Sequence, residues 1–294
     1  MYSLSSKKRL WYRISLAVIF VIAAPLLILY ASGYRLDDAF RLASTGGIYI
    51  SAPQSGVEIY VDNELIRKTS AFQKNAFVQN LKPADYEIRV TKEDYQEWSK
   101  ILSVFPETVT EAHSFLLRKE PVLVEVRSLV SAETDGDRAT STATTSIKQI
   151  KNPEYDIAIK LFEPIKTSTL KKATSTDIEK VSRKLSVLRD GDILRVTWLG
   201  NMDDIPGYFC RNEICKEEII INPNSKIKHF DFFPGREDLI IMSLENGIYV
   251  SEIDDRSKQN VQKIVEGGGY DFRILEGDQI YIKKARQIFV LNQA

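Results

Sequence analysis

Ile227-Lys-His-Phe-Asp-Phe-Phe233, Pro234-Gly235, Leu239-Ile-Ile-Met242, Glu245-Asn-Gly247, Ile248-Tyr-Val-Ser-Glu-Ile253 and Val261-Gln-Lys-Ile-Val265 follow one another along the C-terminal part of this chain. Short apolar and aromatic runs alternate with turn residues. Each run is too short for a helix, and Pro-Gly and Asn-Gly punctuate them as turns do. The unit therefore reads as four consecutive antiparallel strands.

The pattern recurs on both sides. Downstream stand Tyr270-Asp-Phe-Arg-Ile274, the turn Glu276-Gly-Asp278, Ile280-Tyr-Ile282 and Ile288-Phe-Val-Leu291. Upstream stand Ile193-Leu-Arg-Val-Thr-Trp198, Gly207-Tyr-Phe-Cys210 and Glu218-Ile-Ile-Ile221. Phe232 and Phe272 are separated by one repeat of about 40 residues, the length of a four-stranded propeller blade. Between two and a half and three copies can be counted, whereas closed propellers usually have at least four. Val122–Val130 and Tyr155–Phe162 are expected to supply a degenerate first blade, with Val122-Leu-Val-Glu-Val126 pairing with the truncated last copy. Residues 120–294 are thus read as a propeller-like β domain. Its stretch 131–146 lacks apolar bulk and is expected to be a flexible Ser/Thr-rich loop. Lys166–Thr176 reads the same way.

Residues 46–119 show period-two alternation. Ile48 and Ile50, then Val57, Ile59 and Val61, then Tyr86, Ile88 and Val90 fall on one side of their runs, and turn chemistry separates the runs. These features predict a small β-sandwich. The stretch resembles the PEGA domain, a β-sandwich module of bacterial and archaeal envelope proteins. Gly47-Ile-Tyr-Ile-Ser51, Pro53-Gln-Ser-Gly56-Val57, Val61-Asp62-Asn63, Leu81-Lys-Pro-Ala-Asp-Tyr86-Glu-Ile-Arg-Val90 and Lys92-Glu-Asp-Tyr95 carry the resemblance, with Tyr60 between them. Ser55 is an insertion in the name-giving motif, and Val57 stands where alanine is usual. Asp85 and Asp94 replace favoured glycines; aspartate tolerates left-handed backbone angles better than most residues. The resemblance covers about a quarter of the chain and implies an extracytoplasmic spacer or adhesive module that contacts envelope polymers. It transfers no enzymatic activity. Tyr60, Tyr86, Tyr95 and Trp98 invite a carbohydrate-stacking reading, against core roles for Tyr86 and Trp98 and an edge-plugging role for Tyr95.

Ile14–Tyr34 contains no Asp, Glu, Lys, Arg or His. As a helix it reaches roughly 30 Å, the thickness of a bilayer's hydrocarbon core. Lys7, Lys8, Arg9 and Arg13 precede it without a compensating acid, while Arg35, Asp37, Asp38 and Arg41 after it cancel. By the positive-inside rule, residues 1–13 form a cytoplasmic tail, 14–34 a transmembrane helix, and the remainder lies outside. A cleaved signal peptide, ending near Ala31-Ser-Gly33, exports the same body; a buried soluble helix leaves the charge asymmetry unexplained. The whole layout resembles small single-pass PEGA-containing bacterial membrane proteins, and this implies architecture only.

Lys and Arg number 40, as do Asp and Glu, so the formal net charge is zero. No basic surplus is available to track a phosphate backbone, which argues against nucleic acid as a partner. Cys210 and Cys215, with four residues between them, are the only cysteines. In an exported chain they read first as a disulfide across two strands, with free thiols or a metal site as alternatives. Asp135-Gly136-Asp137 lacks EF-hand spacing. No catalytic motif is found. His113 and His229 lie in alternating strands, Gly267-Gly-Gly269 precedes a strand rather than a helix, and Asp231 and Asp271 recur at equivalent repeat positions, as structural residues do. Asp203 and Asp204 complete the candidate acids. The expected protein is a non-enzymatic, cofactor-free envelope component that presents β domains to polysaccharide or protein from a lipid bilayer. The alternatives are a sensor or receptor subunit working with a membrane partner, and an envelope glycan hydrolase.

Overall fold

A computed structural model describes residues 6–31, 33–36, 41–133, 147–163, 179–211, 214–275 and 278–292. The chain is mainly β with one apolar N-terminal helix, and it divides into two compact units. The first comprises residues 1–91 and 98–115, and the second residues 92–97 and 116–294. Sequence reading placed the change at 119/120. The loop 92–97, read as part of the sandwich, instead packs with the second unit. Most of the flexible-loop stretch, 134–146, lies outside the described residues, as do Asp135-Gly136-Asp137 and Lys166–Thr176.

The first unit begins with helix α1, Ser6–Ala31. Its Arg9–Ala31 portion, of mean hydropathy 2.7, is long and apolar enough to cross a membrane, and none of it is buried within the chain. The helix stops three residues short of Tyr34, which opens a short hairpin of β1 (Tyr34–Leu36) and β2 (Leu42–Ser44). Seven strands follow: β3 Gly46–Ser51, β4 Glu58–Val61, β5 Glu64–Lys68, β6 Asn75–Leu81, β7 Asp85–Thr91, β8 Trp98–Ser103 and β9 Val109–His113. They form sheets of order β6-β3-β9 and β5-β4-β7-β8. Ile48, Ile50, Ala76 and Ala112 point inward from one sheet, and Ile59, Val61, Ile88, Val90, Trp98 and Leu102 from the other. These alternate residues make the sandwich core. The β3–β9 pair is parallel.

The second unit opens with β10 (Val122–Glu125), the hairpin β11 (Leu129–Glu133) and β12 (Ile147–Lys151), and helix α2 (Pro153–Leu161). Residues 131–133 are therefore strand rather than loop. Tyr155–Phe162 was expected to be a strand, but Tyr155–Leu161 is helical. Asn152 caps the helix by accepting from Glu154 N, Pro153 occupies its first turn, and Glu154 and Asp156 complement its N-terminal dipole.

Three four-stranded antiparallel meanders follow. The first contains β13 (Glu179–Ser182), β14 (Leu185–Asp190), β15 (Ile193–Trp198) and β18 (Glu218–Ile221). Between its last two strands, β16 (Cys210–Arg211) and β17 (Ile214–Cys215) form a small side hairpin. Gly207–Phe209, expected to be part of a main strand, is a 3-10 turn leading into that hairpin. The second meander has β19 (Ile227–Phe233), β20 (Arg236–Leu244), β21 (Gly247–Glu252) and β22 (Val261–Glu266). The third has β23 (Tyr270–Leu275), β24 (Gln279–Lys284) and β25 (Gln287–Asn292), and β10 completes it by pairing Val122–Glu125 with Phe289–Asn292. The first two meanders share a core that includes Leu185, Val196, Phe209, Ile227, Phe230 and Met242. The third packs with α2 through Val126, Ala158, Tyr281 and Ile288.

Candidate functional site

The residues carrying the PEGA resemblance form turns and core. Gly56 N donates to Thr69 O at 3.0 Å, and Thr69 N donates to Val57 O at 2.7 Å. The Thr69 hydroxyl accepts from Val57 N and donates to Gln54 O, so this buried threonine pins the Pro53–Val57 turn. Nothing in the local pattern around Thr69 signals that role. Asp62 and Asn63 both adopt left-handed angles, as a two-residue β-hairpin turn requires. Asp62 Oδ1 also accepts from Glu87 N. Asp94 is left-handed as well, with φ 64°, whereas Asp85 is a strand residue that accepts from Ser103 Oγ. Leu81 closes β6 opposite Gly46.

Three of the four candidate stacking rings are buried or covered by a cation. Trp98 is fully buried. Arg89 lies over Tyr60 at 4.9 Å. Lys92 and Arg118 lie over Tyr95 at 4.6 and 5.3 Å. The Tyr86 hydroxyl donates to Lys82 O. Tyr86 is half-buried at the surface rather than part of the core.

His113 hydrogen-bonds through Nδ1 to Ser51 Oγ at 3.2 Å and through Nε2 to Glu111 at 3.3 Å. This places a hydroxyl, an imidazole and a carboxylate in line, a grouping the sequence reading did not find because β3 and β9 are distant in the chain. Acyl transfer also needs N–H donors for the oxyanion. The adjacent Ala52 N and Ser114 N already donate, to Lys74 O and Ser51 O.

The densest grouping of candidate residues lies on the first strands of the three meanders. Lys180 of β13 pairs with Asp231 of β19 at 2.8 Å, and Arg273 pairs with Asp271 on β23 at 2.9 Å. Each aspartate also accepts from the next backbone N–H, at Phe232 and Phe272. His229 packs against the Phe272 ring at 4.8 Å. Burial, reinforced by the Arg273 and Lys180 charges against the opposing Asp271 and Asp231, lowers the His229 pKa to about 4. The recurrence of Asp231 and Asp271 thus corresponds to equivalent bonds from each carboxylate to the next N–H of its strand, each carboxylate neutralised by a cation. Such an arrangement binds and braces; a pair of carboxylates sharing one proton needs two that face each other unneutralised. Asp204 pairs with Lys184 on an exposed loop, next to Asp203. No group of three or more His, Cys, Asp or Glu side chains among the described residues is placed to hold a metal ion.

Cys210 and Cys215 lie opposite each other in the β16–β17 hairpin, their Cα atoms 4.0 Å apart, and are joined as a disulfide. On either side of it, Arg211 donates to Arg256 O and Lys216 pairs with Asp255, so the hairpin holds the loop after β21. A groove of about 660 Å3 opens beside β10, β25 and the start of α2, with Val124, Arg127, Asn152 and Glu154 in its walls.

No family model matches this chain, and no curated protein matches it. Among solved structures, that of Kluyveromyces lactis Hsv2p matches at 12% identity over 69% of each chain, with a TM-score of 0.19. A score that low carries no argument about fold or function.

Proposed function

We propose that this chain is a non-enzymatic, single-pass membrane protein of the cell envelope that holds two β units outside the membrane as binding or scaffolding surfaces. One observation carries the reading: α1 exposes apolar side chains on every side, a surface that only lipid or another apolar partner satisfies. The basic tail with Lys7, Lys8, Arg9 and Arg13 supports a cytoplasmic N-terminus, and the disulfide fits an oxidising compartment outside. The PEGA resemblance supports an envelope polysaccharide or envelope protein as the contact. Against hydrolysis stand the paired states of Asp231 and Asp271 and the committed N–H groups beside Ser51.

The test uses the full chain in detergent micelles, incubated with purified cell wall. Binding that survives washing without release of soluble glycan is the expected result. Glycan release abolished by His113→Ala would replace the scaffold with a hydrolase, and no binding to wall or envelope extract would remove the adhesive role.

A further inference from the structure

The junction between α1 and the sandwich holds a preorganised cation. Gly33 follows the helix at φ 86°, and its N–H donates to Tyr30 O at 3.3 Å. Thr45 then fastens this turn, donating to Gly33 O from its backbone N at 3.0 Å and from its hydroxyl at 2.6 Å. Arg35, paired with Ala43 in the β1–β2 hairpin, reaches back to the helix end. Its Nη1 donates to Tyr30 O at 2.7 Å and to Tyr34 O at 2.8 Å, and its guanidinium lies 3.8 Å from the centre of the Tyr30 ring. These contacts satisfy a terminal helix carbonyl that lipid cannot satisfy, and they hold a positive charge where the helix dipole is negative.

They also consume only one side of the fork. A guanidinium binds an oxyanion in two-pronged fashion either through both Nη atoms or through Nε and Nη2. With Nη1 committed to carbonyls, the Nε–Nη2 edge remains, and among the described residues it donates to no protein acceptor. The depth is set by the chain itself: Tyr30 is in the last turn of the apolar helix, where an interfacial aromatic meets the headgroup layer.

We infer that Arg35 binds the phosphate of a phospholipid headgroup through its Nε–Nη2 edge, fixing the height of the anchor in the outer leaflet. This rests on the membrane-anchored reading. Because the guanidinium is already ordered by Tyr30 and Tyr34, little side-chain entropy is lost on binding, which favours a site over diffuse attraction.

The experiment purifies the full chain in maltoside micelles and measures, by native mass spectrometry, retention of phosphatidylglycerol and of diacylglycerol, which lacks phosphate. Wild type, Arg35→Gln and Arg35→Lys are compared after their thermal unfolding is shown to match. Wild type is expected to keep phosphatidylglycerol about tenfold better than Arg35→Gln, with Arg35→Lys between them and diacylglycerol retained equally by all three. Equal phosphatidylglycerol retention by wild type and Arg35→Gln overturns the inference. So does loss of the lipid to excess inorganic phosphate, which would make the ligand a soluble anion. A full chain that stays dissolved without detergent and retains neither lipid removes the anchor itself, a failure distinct from loss of the phosphate contact alone.

Discussion

At the scale of single residues, His229 is a group whose ionisation folding disturbs strongly within the ordinary working range of pH. Its pKa falls from an ordinary 6.5 to about 4 because burial, with Arg273 and Lys180 nearby, disfavours the charged ring over the pull of Asp271 and Asp231. The unfolded chain therefore takes up a proton near pH 6.5 that the folded chain refuses until about pH 4. Stability is fully present above 6.5, declines as pH falls through that window, and levels off below it. His229→Gln should abolish about 2 kcal/mol of the stability difference between pH 7.5 and pH 5, read from chemical unfolding of variant and wild type in parallel. Unchanged pH dependence would place His229 in solvent. Gly46 is a second test. A Cβ there would come within 2.2 Å of Phe105 O and 2.9 Å of Thr108 O, both backbone atoms. Gly46→Ala should cost about 2 kcal/mol or more, seen as a lowered Tm. Neither residue announces this in the sequence, since His229 sits in an ordinary alternating strand and the crowding at Gly46 comes from residues nearly sixty positions away.

At the scale of elements, the edges of the distal meanders are closed by two devices. The outer strand of the third sheet comes from the other end of the unit: Val126 N donates to Ile288 O, continuing the β10–β25 ladder. Proline lacks that donor, so Val126→Pro should reduce hydrogen-exchange protection over Gln287–Asn292 while leaving β19–β21 protected. On the second sheet, the Gln96 side chain imitates a strand. Its Nε2 donates to Lys263 O at 2.7 Å, and its Oε1 accepts from Lys263 N at 3.1 Å. Gln262 reciprocates, accepting from Leu117 N and donating to Glu97 O. Gln96→Ala leaves both edge groups of Lys263 unpaired. A loss of about 1–2 kcal/mol is expected, and it should be non-additive with Gln262→Ala in a double-mutant cycle.

Legibility followed the same physics. Strands with one buried face, such as β3, β7 and β22, announce themselves by alternation and by turn residues, and β20 and β21, buried on both faces, by their apolar runs between turns. So does β10, whose pairing with the last strand could be anticipated because the third copy lacks a fourth strand. The β13–β14 hairpin was missed because it turns at Arg183, which takes φ 44° without the glycine or asparagine that normally marks such a position. Helix α2 is too short for an apolar stripe, although its Asn152-Pro153 start was readable. The parallel β3–β9 pair and the Gln96 clamp join segments far apart in the chain, and no local pattern encodes them.

At the scale of the whole molecule, the account rests on an apolar helix with β units on the far side of a membrane. Among the described residues the second unit holds three four-stranded meanders, where a closed propeller usually has at least four; their sheets are open, and β10 completes the third. The disulfide belongs to this level because it depends on compartment. If the β units are exported, Cys210 and Cys215 should resist thiol alkylation in cells until a reductant is added, and reduction should loosen the loop held by Arg211 and Lys216 before the third sheet. The most direct measurement is protease shaving of intact cells that make the full chain, followed by mass spectrometry of what stays in alkali-washed membranes. The account predicts that peptides from the two β units are lost and that a membrane-retained fragment containing the Lys7–Arg13 region survives. Protection of the β units in intact cells, or release of the undigested chain by the alkaline wash, would contradict it.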